Sequence, residues 1–259
     1  MSGVIALLVG LSSVAGLVDP RVYAQETQNW ATQAQGQDLG NLLAVIVLLV
    51  AARHYQKGSV RAGLIWLGTL LYLIYAFIVY AVAVHLNGLF LLYVAVLGLS
   101  AWTLIFHVGP LRRATPPFSR GLARKAAAYV LIATGILFAG LWLSELVPAL
   151  VGGQAPASLA DAGLGVKPIH VIDLSMVLPG FIISGVGALR SREHGLFWLA
   201  PWLVFSMLMG ASIVAAMLLM AQAGADVIPP TVMVSVVVAA SALAVFAHLR
   251  TLAPRTHPR

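Results

Sequence analysis

An all-α bundle of about eight membrane-spanning helices is the fold this sequence predicts, and three observations predict it. Only 9% of the 259 residues are charged and 61% are hydrophobic, whereas a soluble domain carries roughly 25% charged residues. Apolar runs near the length that crosses a bilayer core, about 20 residues for roughly 30 Å, recur along the chain. Lys and Arg, finally, collect in alternate links between those runs.

Taken in order, the runs are Gly3 to Val18, Asp38 to Ala52, Ala62 to Val84, Gly88 to Val108, Ala126 to Val147, His170 to Leu189, Leu196 to Gln222 and Thr231 to Leu249. The first two are short. The first, VIALLVGLSSVAGLV followed by VYA, also fits the apolar core and small-residue cleavage site of a signal peptide, although MSG carries no basic side chain. If it is cut, seven spans remain and the orientation of the rest is unchanged. The second run reaches full length only if the helix extends backward into QETQNWATQAQGQDLGN, Gln25 to Asn41. In the sixth, Pro168 marks a helix start, Pro179 a kink, and Gly180, Ser184 and Ala188 a small-residue face for close helix contact.

Arg53, Lys57 and Arg61 follow the second run, and Arg112, Arg113, Arg120, Arg124 and Lys125 follow the fourth. Arg190 and Arg192 follow the sixth, and Arg250, Arg255 and Arg259 the eighth; only Arg21 and Lys167 fall at the other ends. Basic links stay in the cytoplasm, so both termini are expected inside. The acids sort the opposite way. Asp19, Glu26, Asp38, Glu145, Asp161, Asp173 and Asp226 fall on the outer side, and Glu193 alone falls inside. Basic residues scattered over short links with little aromatic interleaving exclude nucleic acid as a partner, despite the net charge of +7. The absence of cysteine excludes disulfides and thiolate metal sites. The longer links contain too little bulky apolar sequence to fold separately, so residues 1–259 read as one membrane domain.

Candidate functional residues lie on the outer side. At 100° per residue Glu26, Asn29, Gln33, Gln37 and Asn41 fall within about 60° of one line over roughly 22 Å of helix. Such a stripe lines an outward cavity or, in the plainer reading, projects into water. His170 and Asp173 share a helix face at i, i+3, where a carboxylate can orient an imidazole for proton handling or metal ligation. The plainer alternative is an acid favoured by the helix dipole beside an interfacial His. In HLNG, His85 stands in a tight outer turn, and either joins this group or caps the preceding helix. Tyr72, near mid-span, needs a hydroxyl partner. The inner histidines, His54, His107, His194, His248 and His257, have no expected role.

RVYAQETQNWATQAQGQDLGN, YAVAVHLNGLFLLYVAVLGLS and PIHVIDLSMVLPG, within roughly half the chain, resemble stretches of an uncharacterised family of bacterial multi-spanning membrane proteins with no assigned function. The resemblance implies a bacterial cytoplasmic membrane and nothing about chemistry.

Three functions follow. The first is binding or transport of a small molecule or ion at a polar, outward-facing site made by Glu26, Asn29, Gln33, Gln37, Asp38, Asn41, His85, His170 and Asp173, since polar groups inside a membrane usually mark a water-filled pathway. NLLAVIVLLVAA offers no polar continuation inward, which favours a one-sided site. The second is a membrane-embedded enzyme acting at the outer leaflet, with His85, His170, Asp173 and Asp38 holding a metal cofactor and Glu26 as acid or base; no HExxH or GxSxG supports it. The third is a structural or assembly role, with the lipid bilayer as the main partner.

Overall fold

The computed structural model describes residues 1–252; Arg255, His257 and Arg259 lie outside the described residues. The chain folds into helices α1 (Ser2–Val18), α2 (Gln28–Gln56), α3 (Val60–Ala83), α4 (Phe90–Ala114), α5 (Leu122–Gly152), α6 (Ala157–Ala162), α7 (Pro168–Ile172), α8 (Leu178–Leu189), α9 (Glu193–Gln222) and α10 (Ile228–Arg250). Seven are long and apolar enough to cross a membrane, counting α7 and α8 as one continuous span from Pro168 to Leu189. At 17 residues α1 is shorter, about 25 Å at 1.5 Å per residue.

The backward extension of the second span is real. Helix α2 begins at Gln28, capped by Thr27, whose hydroxyl accepts from the Trp30 amide, and runs through the rest of the polar stretch to Gln56. Glu26 therefore lies just ahead of the helix. Large apolar side chains point outward all round the bundle, among them Leu11, Ile46, Leu91, Phe106, Ile136 and Phe246. In water such a surface would drive aggregation; facing lipid it is the expected exterior of an integral membrane protein.

Successive helices alternate in direction, which gathers the basic links at one end of the bundle. Ser2 lies there too, its hydroxyl accepting from Trp66 Nε1 at 3.0 Å, and so does Leu252, whose carbonyl accepts from Arg61 Nη2 at 3.0 Å. Helix α9 is central and packs on α2, α3, α5, α8 and α10; α1 and α4 flank α2 and α3, and α5 packs against α8 and α10.

Small residues set the closest approaches. A Cβ on Gly36 would stand 2.2 Å from Ala216 Cα, and one on Gly40 2.2 Å from Ser212 Cβ. Two small-xxx-small pairs, Gly36 with Gly40 and Ser212 with Ala216, thus bring α2 and α9 into backbone contact, the arrangement that replaces hydrophobic drive between helices in lipid. The expected small-residue face of α8 also packs on α9: Gly180 meets the Trp202 ring, and Ala188 meets Gly195, where a Cβ would stand 2.3 Å from Ala188 N.

Near Pro179 the backbone makes a π-helical turn, Asp173–Val177, in which the Leu178 amide donates to the Asp173 carbonyl five residues back. Proline supplies no amide and crowds the preceding turn; widening that turn just upstream relieves the clash without breaking the span.

Since the Gly36 contact is with backbone, neighbouring rotamers cannot relieve it. Gly36→Val is expected to cost about 1–3 kcal/mol and to lower the thermal midpoint of detergent-purified protein, whereas Gly98→Ala, at a position with nothing within 4 Å, should leave it nearly unchanged.

Candidate functional site

The polar stripe of α2 divides between two environments. One side faces α1 and α3. Asp38, 1% exposed, accepts from the Tyr23 hydroxyl at 2.7 Å and from the Tyr80 hydroxyl at 2.8 Å. Tyr23 sits in the α1–α2 link, where burial and then the nearby Asp38 charge push its hydroxyl far above the usual phenol range, so it serves as a donor. Asn41, fully buried, donates to Ser13 Oγ at 3.1 Å and accepts from the Tyr72 hydroxyl at 3.1 Å. The mid-span tyrosine has its partners, because Gln37 Nε2 also donates to Tyr72 at 2.6 Å. On α1, Gly16 makes room for the carboxylate: a Cβ there would lie 2.2 Å from Asp38 Oδ2.

The other side of α2 faces a cavity of about 350 Å³. Gln33 and Gln37 line it from α2, Tyr75 from α3, Trp142 from α5, Asp173 from the π-helical turn and Ser212 from α9. Phe138, Phe181, Phe205 and three methionines of α9, Met209, Met217 and Met220, add aromatic and thioether surface to a largely apolar wall. Apart from Phe181 and Phe205, which lie near mid-span, these residues fall in the halves of their helices remote from the basic links. Towards the basic end the core is closed by fully buried Leu64, Leu67, Leu199 and Leu203.

Asp173 is the carboxylate in this wall. It is 9% exposed and accepts from Trp142 Nε1 at 2.8 Å, and Tyr75 lines the same cavity. Across the cavity Gln37 Oε1 accepts from the Ser212 hydroxyl at 3.1 Å, and Gln33 donates to Asn29, one turn nearer the mouth.

His170 and Asp173 do not bond to each other. The His170 ring lies 4.8 Å from that of Trp142 and its Nε2 is 3.7 Å from Glu145 Oε2, too long for a hydrogen bond. That nitrogen is buried and has no hydrogen-bond partner. Trp142 thus contacts both residues, His170 with its ring and Asp173 with its Nε1. Glu26 and His85 form a separate pair at the rim, where Glu26 Oε1 accepts from the His85 amide at 2.7 Å and lies 3.0 Å from His85 Nδ1. The outer cation Arg21 is bound to Asp19 at 2.8 Å. Its hydrogen bonds hold the Asp19 carboxyl down to about 2 and push the guanidinium further up. Burial lowers the Lys167 ammonium from its usual range, opposed by Glu145 and Asp161.

Of the nine expected site residues, therefore, Gln33, Gln37 and Asp173 share the cavity; Asp38 and Asn41 face α1, Glu26 and His85 pair at the rim, Asn29 supports Gln33, and His170 packs behind Trp142. His85, His170, Asp173 and Asp38 stand apart, and among the described residues no three His, Asp or Glu side chains come close enough to share a metal ion. The sequence reading missed Trp142 and Ser212, which donate to the cavity's Asp173 and Gln37. A polar atom in an apolar run is the available signal for each; what it cannot reveal is which helix faces which.

No protein-family model, curated protein or solved structure matches this chain. Fold and surface define its class: a multi-pass integral membrane protein in contact with lipid.

The two hydroxyls on Asp38 are expected to act in stability. Tyr80→Phe removes a donor to a buried carboxylate and should cost about 1–2 kcal/mol, with roughly half that loss in an Asp38→Asn background, where the bond is neutral. Thermal unfolding of the four proteins in one detergent measures the coupling.

Proposed function

We propose that this protein binds, and in the course of its work carries or senses, a small amphiphile in the cavity between α2, α3, α5, α8 and α9. The single observation that carries the reading is a carboxylate, Asp173, set in a largely apolar wall rich in aromatic and methionine side chains, with the Trp142 indole N–H on one of its oxygens. A carboxylate has capacity for about four hydrogen bonds, and an ionised group in such surroundings is costly unless a partner of opposite charge arrives. The fitting ligand is an organic amine. Its ammonium would meet Asp173 and the faces of Tyr75 and Trp142, its apolar body would lie against the phenylalanines and methionines, and Gln33 and Gln37 would orient polar substituents.

In this reading the basic end lies in the cytoplasm, following the distribution of Lys and Arg. The cavity then opens away from the cytoplasm, in the membrane of a bacterium on the resemblance given above, and the closed leucine core below it favours uptake from one side. The whole chain acts as one membrane domain. Asp38, Asn41, Tyr23 and Tyr72 hold α2 in place rather than meeting the ligand, whereas Tyr80 both bonds Asp38 and lines the cavity.

Titration of purified protein with 2-phenylethylamine and with 2-phenylethanol, read through tryptophan fluorescence, tests the proposal. Saturable binding of the amine at least about tenfold tighter than the alcohol is expected, with the preference lost in Asp173→Asn. Equal binding of the two, or an amine preference untouched by Asp173→Asn, would overturn it.

A further inference from the structure

At the opposite end of the molecule, the α5 amino terminus combines features that the cavity does not use. Helix α5 is 31 residues long, and its cap, Gly121, supplies no side-chain acceptor to the first-turn amides. These amides carry the positive end of the helix dipole. Arg120, Arg124 and Lys125 surround them and line a shallow recess together with Gly121 and Leu122. Among the described residues none of the three cations lies in a salt bridge; the one acid at this end, Glu193, is bound to Arg112 at 2.9 Å.

Arg124 carries the argument beyond a helix end. It is only 6% exposed, Nη1 donates to Ser191 Oγ at 3.1 Å, and its Nε is buried without a hydrogen-bond partner. The Ser191 contact anchors the guanidinium from the α8–α9 link, and the fold thereby holds an undirected donor and a positive charge in the wall of the recess. Leaving such a group unmatched is costly, and an acceptor with several oxygens and a negative charge matches it.

A hydrophobic track leads away from the recess. Leu122, Tyr129, Ile136, Leu143 and Leu150, all exposed, recur every seven residues down α5. At 100° per residue that spacing drifts by only about 20° per step, so they form one nearly straight apolar line along the helix.

We propose that the α5 amino terminus binds a phosphate group, held by the first-turn amides, Arg120, Arg124 and Lys125, with Leu122 and the track below it placed for an acyl chain when the phosphate belongs to a phospholipid. Basic recesses beside helix ends on the cytoplasmic side are suited to anionic headgroups, and guanidinium and helix amides are the groups that recognise phosphate oxygens.

The test uses the full chain in mixed micelles, with phosphatidylglycerol, phosphatidylcholine or inorganic phosphate as probe, and Arg120→Ala/Lys125→Ala as the variant, since both side chains are exposed and Arg124 stays in place. Retention of phosphatidylglycerol over phosphatidylcholine by about tenfold, read by native mass spectrometry and abolished in this variant, is expected. A control, Arg53→Ala/Lys57→Ala, removes the same charge from another link at that end and should keep the preference. Displacement of the lipid by millimolar inorganic phosphate would assign the site to a free anion, and resistance to it would assign the site to the lipid; either supports a phosphate site. Loss of preference in the control as well, or no preference and no phosphate binding by the parent, overturns the proposal.

Discussion

The polar face of α2 has to find its hydrogen-bond partners inside the bundle, and the positions of three other helices follow from that requirement. A buried polar group without a partner costs several kcal/mol in a hydrocarbon environment. Ser13 of α1 answers Asn41, Tyr72 and Tyr80 of α3 answer Gln37, Asn41 and Asp38, and Ser212 of α9 answers Gln37. Each bond demands near contact between helix backbones. Gly16, Gly36 and Gly40 permit it, because any side chain at these positions would overlap a neighbour. Bonding and packing along α2 are one constraint seen from two sides.

That constraint also explains why the two membrane-embedded carboxylates differ in role. Asp38 is enclosed by tyrosine hydroxyls on both oxygens, and a group so fully matched has little left to offer a ligand. Asp173 borders open space and has the Trp142 indole N–H on one oxygen. The residue type is the same, and the surroundings alone separate a fully matched carboxylate from one with hydrogen-bonding capacity left over.

Much of the fold was legible in the sequence because membrane insertion writes itself into composition. Long apolar runs, basic alternate links and the backward extension of α2 into the polar stretch could all be read from residue type and spacing, although the helix starts at Gln28 and leaves Glu26 outside it. So could the small-residue face of α8. The candidate site was legible only in part. Helical periodicity put Gln33, Gln37 and Asn41 on one broad face, but the face is wide enough to touch three helices, so neighbours on the stripe look into different spaces. The i, i+3 spacing of His170 and Asp173 placed them on one side of a helix, and there they meet one shared neighbour, Trp142, rather than each other. Glu145 and Trp142 come from a helix some thirty residues earlier, a separation at which spacing carries no information about contact.

The π-helical turn has one more implication. It accommodates one residue more than a regular helix would over the same length, so everything after Val177 is rotated by about 100° relative to an uninterrupted spiral begun at Pro168. The turn itself sets Asp173 in the cavity wall, and the segment after it sets Phe181 there while seating Gly180 and Ala188 against α9. One span thereby serves two surfaces, with the change of phase between them taken up in a single wide turn.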